Sequence, residues 1–166
     1  MSEARQWHRP TLLERLLGQA AEQGLTAKND GHAAWSRDAL RASVIHDLEH
    51  LMNASPCDTS GLSGPARHSV LAYGLPPMAG QLASSVHVRQ LEQTVHQALV
   101  HFEPRIVPGS LQVKAEADHA SLNHHNVIHL QITAALHAHP VPVELVLRSE
   151  IDLETGRVAL VPLTGF

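Results

Sequence analysis

The chain has 166 residues, 43% of them apolar and 17% charged, a composition that suits one globular domain and excludes a disordered tail. A formal net charge of -4 gives no general attraction to phosphate, and aromatics at 3% leave no platform for base stacking, so no nucleic-acid partner is expected. Cys57 is the single cysteine, which excludes an intramolecular disulfide and a thiolate zinc cluster.

Met1 to Pro10 reads as a flexible leader. Glu3, Arg5, His8 and Arg9 are followed by no apolar h-region, so no signal peptide is expected. No apolar run approaches the ~20 residues of a membrane span, so no membrane insertion is expected either. The expected location is the cytoplasm, a reducing compartment that the lone cysteine fits. Residues 11–166 are expected to form a single domain, helical over 11–102 and β-rich over 106–166.

Thr11 with Glu14 makes a capping-box pattern, and Leu12, Leu13, Leu16 and Leu17 form an apolar stripe, so a first helix is expected to about Glu22. Asn29-Asp30-Gly31 marks a loop. From Arg37 to about Ala54, Leu40, Val44, Ile45, Leu48, Leu51 and Met52 recur with helical period, and Ser55-Pro56 ends that helix. Pro, Ser and Gly residues up to Pro65 form a connection, and Val70 to Leu75 is a short apolar run closed by Pro76-Pro77. A third helix is expected from about Ser84 to His101, with Val88, Leu91, Val95, Ala98, Leu99 and Phe102 facing inward.

The period changes after Glu103-Pro104-Arg105. Strands are expected from Leu111 to Ala117, around Val127 to Thr133, over Val141 to Leu147 and over Arg157 to Val161, the last after the turn signal Glu154-Thr155-Gly156. Helices first and closely spaced strands later predict an α+β domain: N-terminal helices packed on one face of a mainly antiparallel C-terminal β-sheet.

Several constellations suggest chemistry. His46-Asp47-Leu48-Glu49-His50 is an H-x-x-E-H string, the inverted zinc-peptidase motif, with two His for zinc and Glu49 as base. A catalytic zinc also needs a third protein ligand, for which Glu92 is the one plausible carboxylate, and nothing around it resembles a ligand motif. His137 and His139 share a strand face but lack further ligands. A glycosidase would need two facing carboxylates, and Glu14, Asp47, Glu49, Glu103 and Asp152 show no such pairing, while aromatics to line a sugar cleft are nearly absent. No catalytic residue, cofactor or metal is assigned, and a small hydrolase, zinc-dependent through His46, Glu49 and His50 or lysozyme-like, is the alternative reading.

Glu103-Pro104-Arg105 is the candidate site. Proline fixes its own φ and pushes the residue before it to an extended conformation, so residues i and i+2 project to the same side. A stiff corner then sets a negative and a positive charge side by side. It is either a solvated turn or a charged anchor that pairs inside the fold or on a partner.

Leu12-Leu13-Glu14-Arg15-Leu16, Ser43-Val44, Asp47-Leu48-Glu49-x-Leu51-Met52-Asn53, Tyr73-Gly74-Leu75-Pro76, Glu103-Pro104-Arg105-Ile106 and Glu150-Ile151-Asp152-Leu153-Glu154-Thr155-Gly156 follow in order. Together they resemble the TssE baseplate subunits of type VI secretion systems, related to a wedge protein of contractile phage baseplates and formerly labelled lysozyme-like. The resemblance implies a structural, non-enzymatic component of a cytoplasmic baseplate docked at the inner-membrane complex. It implies wedge partners of the TssF and TssG type, and a seat on which the sheath of TssB and TssC begins to polymerise. Glu103, Pro104 and Arg105 match the family's hallmark, which makes them the expected partner-binding residues. Pro77 and the histidine count depart from the family pattern, and His46 and His50 belong to none of it. Sheath subunits are expected to add strands to their neighbours, so a free edge among the strands after Leu111 is the expected seed.

Overall fold

A chain with two apolar helical stripes followed by alternating runs must cover one face of its sheet with those stripes. The computed structural model, which describes residues 37–58, 61, 63–81, 86–116 and 126–163, has that arrangement. The first expected helix and the leader lie outside the described residues. Helix α1 spans Arg37–Asn53 and buries Leu40, Ser43, Val44, Leu48, Leu51 and Met52. Helix α2 spans Val88–Phe102 and buries Leu91, Val95 and Leu99. Val88, expected inward, is exposed in the first turn of α2. Between the helices, Gly64–His68 and Val70–Ala72 form short 3₁₀ turns. The apolar run from Val70 enters the core only at its far end, since Val70 is 81% exposed whereas Leu75 is buried.

Four strands follow: β1 (Gln112–Ala115), β2 (Val127–Leu136), β3 (Val143–Asp152) and β4 (Val158–Pro162). They form an antiparallel meander in the order β1-β2-β3-β4. Alternation decides which face is buried. Ile128, Leu130, Ile132, Ala134 and Leu136 of β2, with Val143, Leu145, Leu147 and Ile151 of β3, point into the core with the helix stripes. Strand β3 is longer than the apolar run Val141–Leu147 suggests. Arg148, Glu150 and Asp152 break the run of apolar letters but not the alternation, because they stand on the opposite face from Leu147, Ser149 and Ile151.

The strand ladder starts before β1. Ile106 bridges Leu136, His137 N–H donates to Arg105 O at 2.7 Å, and Val107 N–H donates to Ala135 O at 2.8 Å. Pro108, Gly109 and Ser110 then bulge out, with Gly109 at φ 80°, and the Ser110 hydroxyl takes the Ala135 N–H at 3.0 Å in place of a backbone carbonyl. The candidate corner therefore lies directly between the end of α2 and the first rung of the sheet.

Gly74 fixes the crossing from α1 to α2. Its φ is 122°, and a Cβ there would lie 2.2 Å from the Ala54 carbonyl oxygen. That close approach lets Leu75 N–H donate to Ala54 O at 3.0 Å, just past the end of α1. Gly74→Ala is expected to destabilise the fold by about 3 kcal/mol through strain and clash. Gly61, with open space around it, should accept alanine within about 0.5 kcal/mol. Urea unfolding of the two variants checks this, and equal losses would contradict it.

Candidate functional site

The corner begins where α2 runs out. Glu103 N–H still donates to Leu99 O at 3.0 Å, and Pro104 prevents the helix from continuing. Glu103 and Arg105 do project to one side, as the proline geometry predicts, and there they bind each other. Arg105 Nε–H donates to Glu103 Oε1 at 2.7 Å and its Nη2 to Glu103 Oε2 at 2.5 Å, a bidentate fork. Glu103 Oε1 also accepts the backbone N–H of Arg105 at 3.0 Å. The remaining guanidinium donors reach α1, where Nη1 donates to Ser43 Oγ at 2.8 Å and Nη2 to Asp47 Oδ2 at 2.6 Å.

Side-chain exposure is 4% for Glu103, 18% for Asp47 and 21% for Arg105. The charges of the corner thus pair inside the fold, and Pro104 is the one member of the triplet that stands exposed. Burial alone would pull the Arg105 guanidinium down. Its hydrogen bonds and attraction to Glu103, then to Asp47, outweigh that and hold it above its ordinary value.

Ser43 and Asp47 were not assigned to the corner by the sequence reading. The signal that points to them is their spacing, four residues apart, which places a hydroxyl and a carboxylate on one helix side next to the buried stripe.

Beside the corner lies an open cleft of about 350 Å³, lined by Asp47, Leu48, Leu51, Tyr73, Phe102 and the Glu103-Pro104-Arg105 triplet. The Tyr73 and Phe102 rings meet edge to face with centroids 5.3 Å apart. Burial raises the Tyr73 phenol above its ordinary 10.0, and the negative charges of Asp47 and then Glu103 raise it further. The cleft is therefore apolar on its walls and carries a negative field from two carboxylates against one guanidinium.

Three of the carboxylates weighed for hydrolysis, Asp47, Glu103 and Asp152, have structural tasks here. Asp47 and Glu103 hold Arg105. Asp152 closes the β3–β4 turn: its Oδ1 accepts the N–H groups of Glu154 at 2.8 Å and Thr155 at 3.2 Å, and its Oδ2 accepts the Thr155 hydroxyl at 2.8 Å. The Thr155 hydroxyl, then the Glu154 and Thr155 N–H groups, hold the Asp152 carboxyl below its usual range. Glu14 lies outside the described residues. Glu92, the one candidate for a third zinc ligand, accepts the Ala115 N–H at 2.6 Å instead, and among the described residues no group of three or more His, Cys, Asp or Glu gathers as a metal site.

A protein-family model described as "Baseplate wedge protein gp25" matches residues 38–141, well over half of the chain. This chain belongs to the gp25 baseplate wedge family. The match agrees with the resemblance to TssE-type subunits, and it spans α1, α2, the charged corner and β2. No curated protein and no solved structure matches the chain. Membership in the gp25 family makes the protein a structural baseplate component of a contractile tail machine. No helix among the described residues is long and apolar enough to cross a membrane.

The sheet edges are the second feature that bears on assembly. The β3–β4 ladder has Leu163 N–H donating to Val146 O and Asp152 N–H to Arg157 O. This register turns the backbone groups of Val158, Leu160 and Pro162 away from β3. Asn53, the last residue of α1, occupies the Val158 rung on both sides: its Oδ1 accepts the Val158 N–H at 2.9 Å and its Nδ2 donates to Val158 O at 2.8 Å. Pro162 has no N–H. Past the end of β4, Arg41 Nε donates to Glu144 O at 3.0 Å. On the opposite edge, Glu92 of α2 covers Ala115. Leu160 is left as the one β4 residue whose outward N–H meets no described partner.

Removing the guanidinium strands a buried carboxylate. Arg105→Met is expected to cost about 3–5 kcal/mol in urea unfolding. Adding Glu103→Leu to it should restore a substantial part of that loss, because the stranded charge goes with it. A cost for Arg105→Met below about 1 kcal/mol, the scale of an exposed pair, would show that the corner is not held by this pairing.

Tyr73 is the single tyrosine of the chain, so its titration can be followed by phenolate absorbance without assignment. Its raised folded value means that the associated stability is complete below pH 10.0 and lost as pH rises through the folded value. Asp47→Asn should move the Tyr73 midpoint down toward 10.0. An unmoved midpoint would contradict the field ascribed to Asp47.

Proposed function

We propose that this protein joins the wedge of a type VI secretion baseplate to the sheath and seeds sheath polymerisation, as a non-enzymatic part of a cytoplasmic baseplate docked at the inner-membrane complex. Residues 1–10 serve as a leader and residues 11–166 as the single wedge domain. Wedge proteins of the TssF and TssG type hold it at the Glu103-Pro104-Arg105 corner, and sheath subunits of the TssB and TssC type add to its sheet. The observation that carries this reading is the position of the corner. A rigid turn, tied by Arg105 to α1, exposes Pro104 beside an apolar, negatively charged cleft and leads directly into a sheet edge.

The internal pairing of Glu103 and Arg105 gives these residues a role through shape and field rather than through free charges. A partner meets the proline and the cleft, and the salt-bridged side chains keep both in place. For strand addition the β4 edge is the better template. Leu160 presents an unmatched rung there, and β4 displays an exposed Val161 on the open sheet face. An incoming strand that pairs along β4 takes over the Val158 rung from Asn53.

The test uses cells that carry the whole machine. Arg105→Glu should prevent co-purification of the protein with wedge partners. Val161→Lys, which sets a charge on the edge strand without touching the core, should leave wedge co-purification intact and abolish sheath tubes seen with a fluorescent sheath subunit. Full-length sheaths with Val161→Lys would refute β4 as the seed. Hydrolysis of peptidoglycan or peptide by the isolated chain, lost in Glu49→Gln, would favour the hydrolase reading instead.

A further inference from the structure

The solvent side of α1 carries a pair of groups that the corner does not use. His46 and His50 lie one helical turn apart, and their Nε2 atoms stand 3.2 Å from each other, with ring centroids 4.6 Å apart and ring planes at 88°. The i, i+4 spacing stacks the two side chains over the same helical turn. In this contact one Nε2–H faces the Nε2 lone pair of the other ring, the roles being set by the tautomers.

That separation is also the bite of a metal ion. Two imidazole nitrogens about 2.0–2.1 Å from a tetrahedral Zn²⁺ sit about 3.3 Å apart. From this geometry we infer that His46 and His50 form a two-imidazole chelate for a borderline divalent cation, Zn²⁺ or Cu²⁺, on the outer face of α1. Imidazole suits both ions, whereas Mg²⁺ and Ca²⁺ require oxygen ligands that the pair does not supply. Ala42, one turn before His46, is small and exposed. Asp47, next to His46 in sequence, is turned to Arg105.

Binding needs a lone pair on both Nε2 atoms. The proton on the donating Nε2 therefore moves through solvent to Nδ1 of the same ring, and the neutral pair releases no net proton. Among the described residues no third His, Cys, Asp or Glu completes the set, so water fills the other coordination positions. This is a chelate and not the peptidase centre that the H-x-x-E-H string suggests, because among the described residues no third protein ligand joins the two histidines. The inference stands independently of the baseplate role.

The full-length chain, free of any histidine tag, is titrated with Zn²⁺, Cu²⁺ and Mg²⁺ by calorimetry, and imidazole nitrogen resonances are followed by NMR. The expected result is a saturable site for Zn²⁺ and Cu²⁺ with no response to Mg²⁺. It should perturb the Nε2 resonances of His46 and His50 and weaken by at least about tenfold in His46→Ala and in His50→Ala. With fourteen histidines in the chain, His101→Ala serves as the control and should bind as the parent does. Circular dichroism confirms that each variant retains its helices, and His46→Gln replaces any that does not. Absence of a saturable site, equal weakening in His101→Ala, or unshifted His46 and His50 resonances would overturn the inference.

Discussion

The structure depends on one guanidinium. Arg105 joins the end of α2, the side of α1 and the first rung of the sheet through its side chain and its backbone carbonyl together. An arginine does this where a lysine would not. The planar fork meets Glu103 with two parallel bonds and still has donors directed at Ser43 and Asp47. Burying such a group is costly in itself, and a pair of carboxylates barely reached by solvent would be costlier without it. The interaction is therefore better viewed as a specificity device than as a source of net stability. In the observed approach of the helices to the sheet all of these groups are satisfied at once.

The same helices also manage the sheet's lateral edges. Arg41 and Asn53 from α1 and Glu92 from α2 each place a polar side chain on a backbone group that faces away from the ladder. Unpaired strand edges invite association, and natural proteins blunt them with charges, proline and bulges. All three devices are present: charged Arg41 and Glu92, Pro162, and the Pro108–Ser110 bulge. A protein that receives a partner's strand, as proposed above, must still avoid receiving one from its own copies. Asn53 suits that need. Its carboxamide turns one donor and one acceptor to Val158, as a neighbouring peptide unit does, and its second N–H goes to Glu49 O, yet it is a single rung that a continuous strand can replace.

The α+β class, the two described helices and the presence of four strands were legible because each rests on hydrophobic period, a local property of the chain. Apolar letters alone end β3 at Leu147, whereas alternation continues through Ser149 and Ile151. Period alone puts Val88 inward, because it takes no account of the exposed first turn of a helix. At the site, Glu103, Pro104 and Arg105 were legible as a stiff doubly charged corner, since proline geometry is local. The partners on α1 were not, because Ser43 and Asp47 are 62 and 58 residues away from Arg105, and nothing in a single sequence measures that separation in space. The edge caps were invisible for the same reason. Asn53 looks like the tail of a helix until Val158, 105 residues later, is laid against it.

Helix α1 emerges as the common support of everything attributed to assembly. Ser43 and Asp47 on one side secure the corner, while Arg41 and Asn53, toward its two ends, guard the β3 and β4 edge. Both sets hang on one stripe formed by Leu40, Val44, Leu48 and Leu51, which anchors the helix in the core. The proposed wedge-binding corner and the proposed strand-receiving edge need no separate mechanical linkage in such a fold. They keep a fixed relation because one rigid, 17-residue helix holds both, and the salt-bridged corner fixes where that helix lies against the sheet.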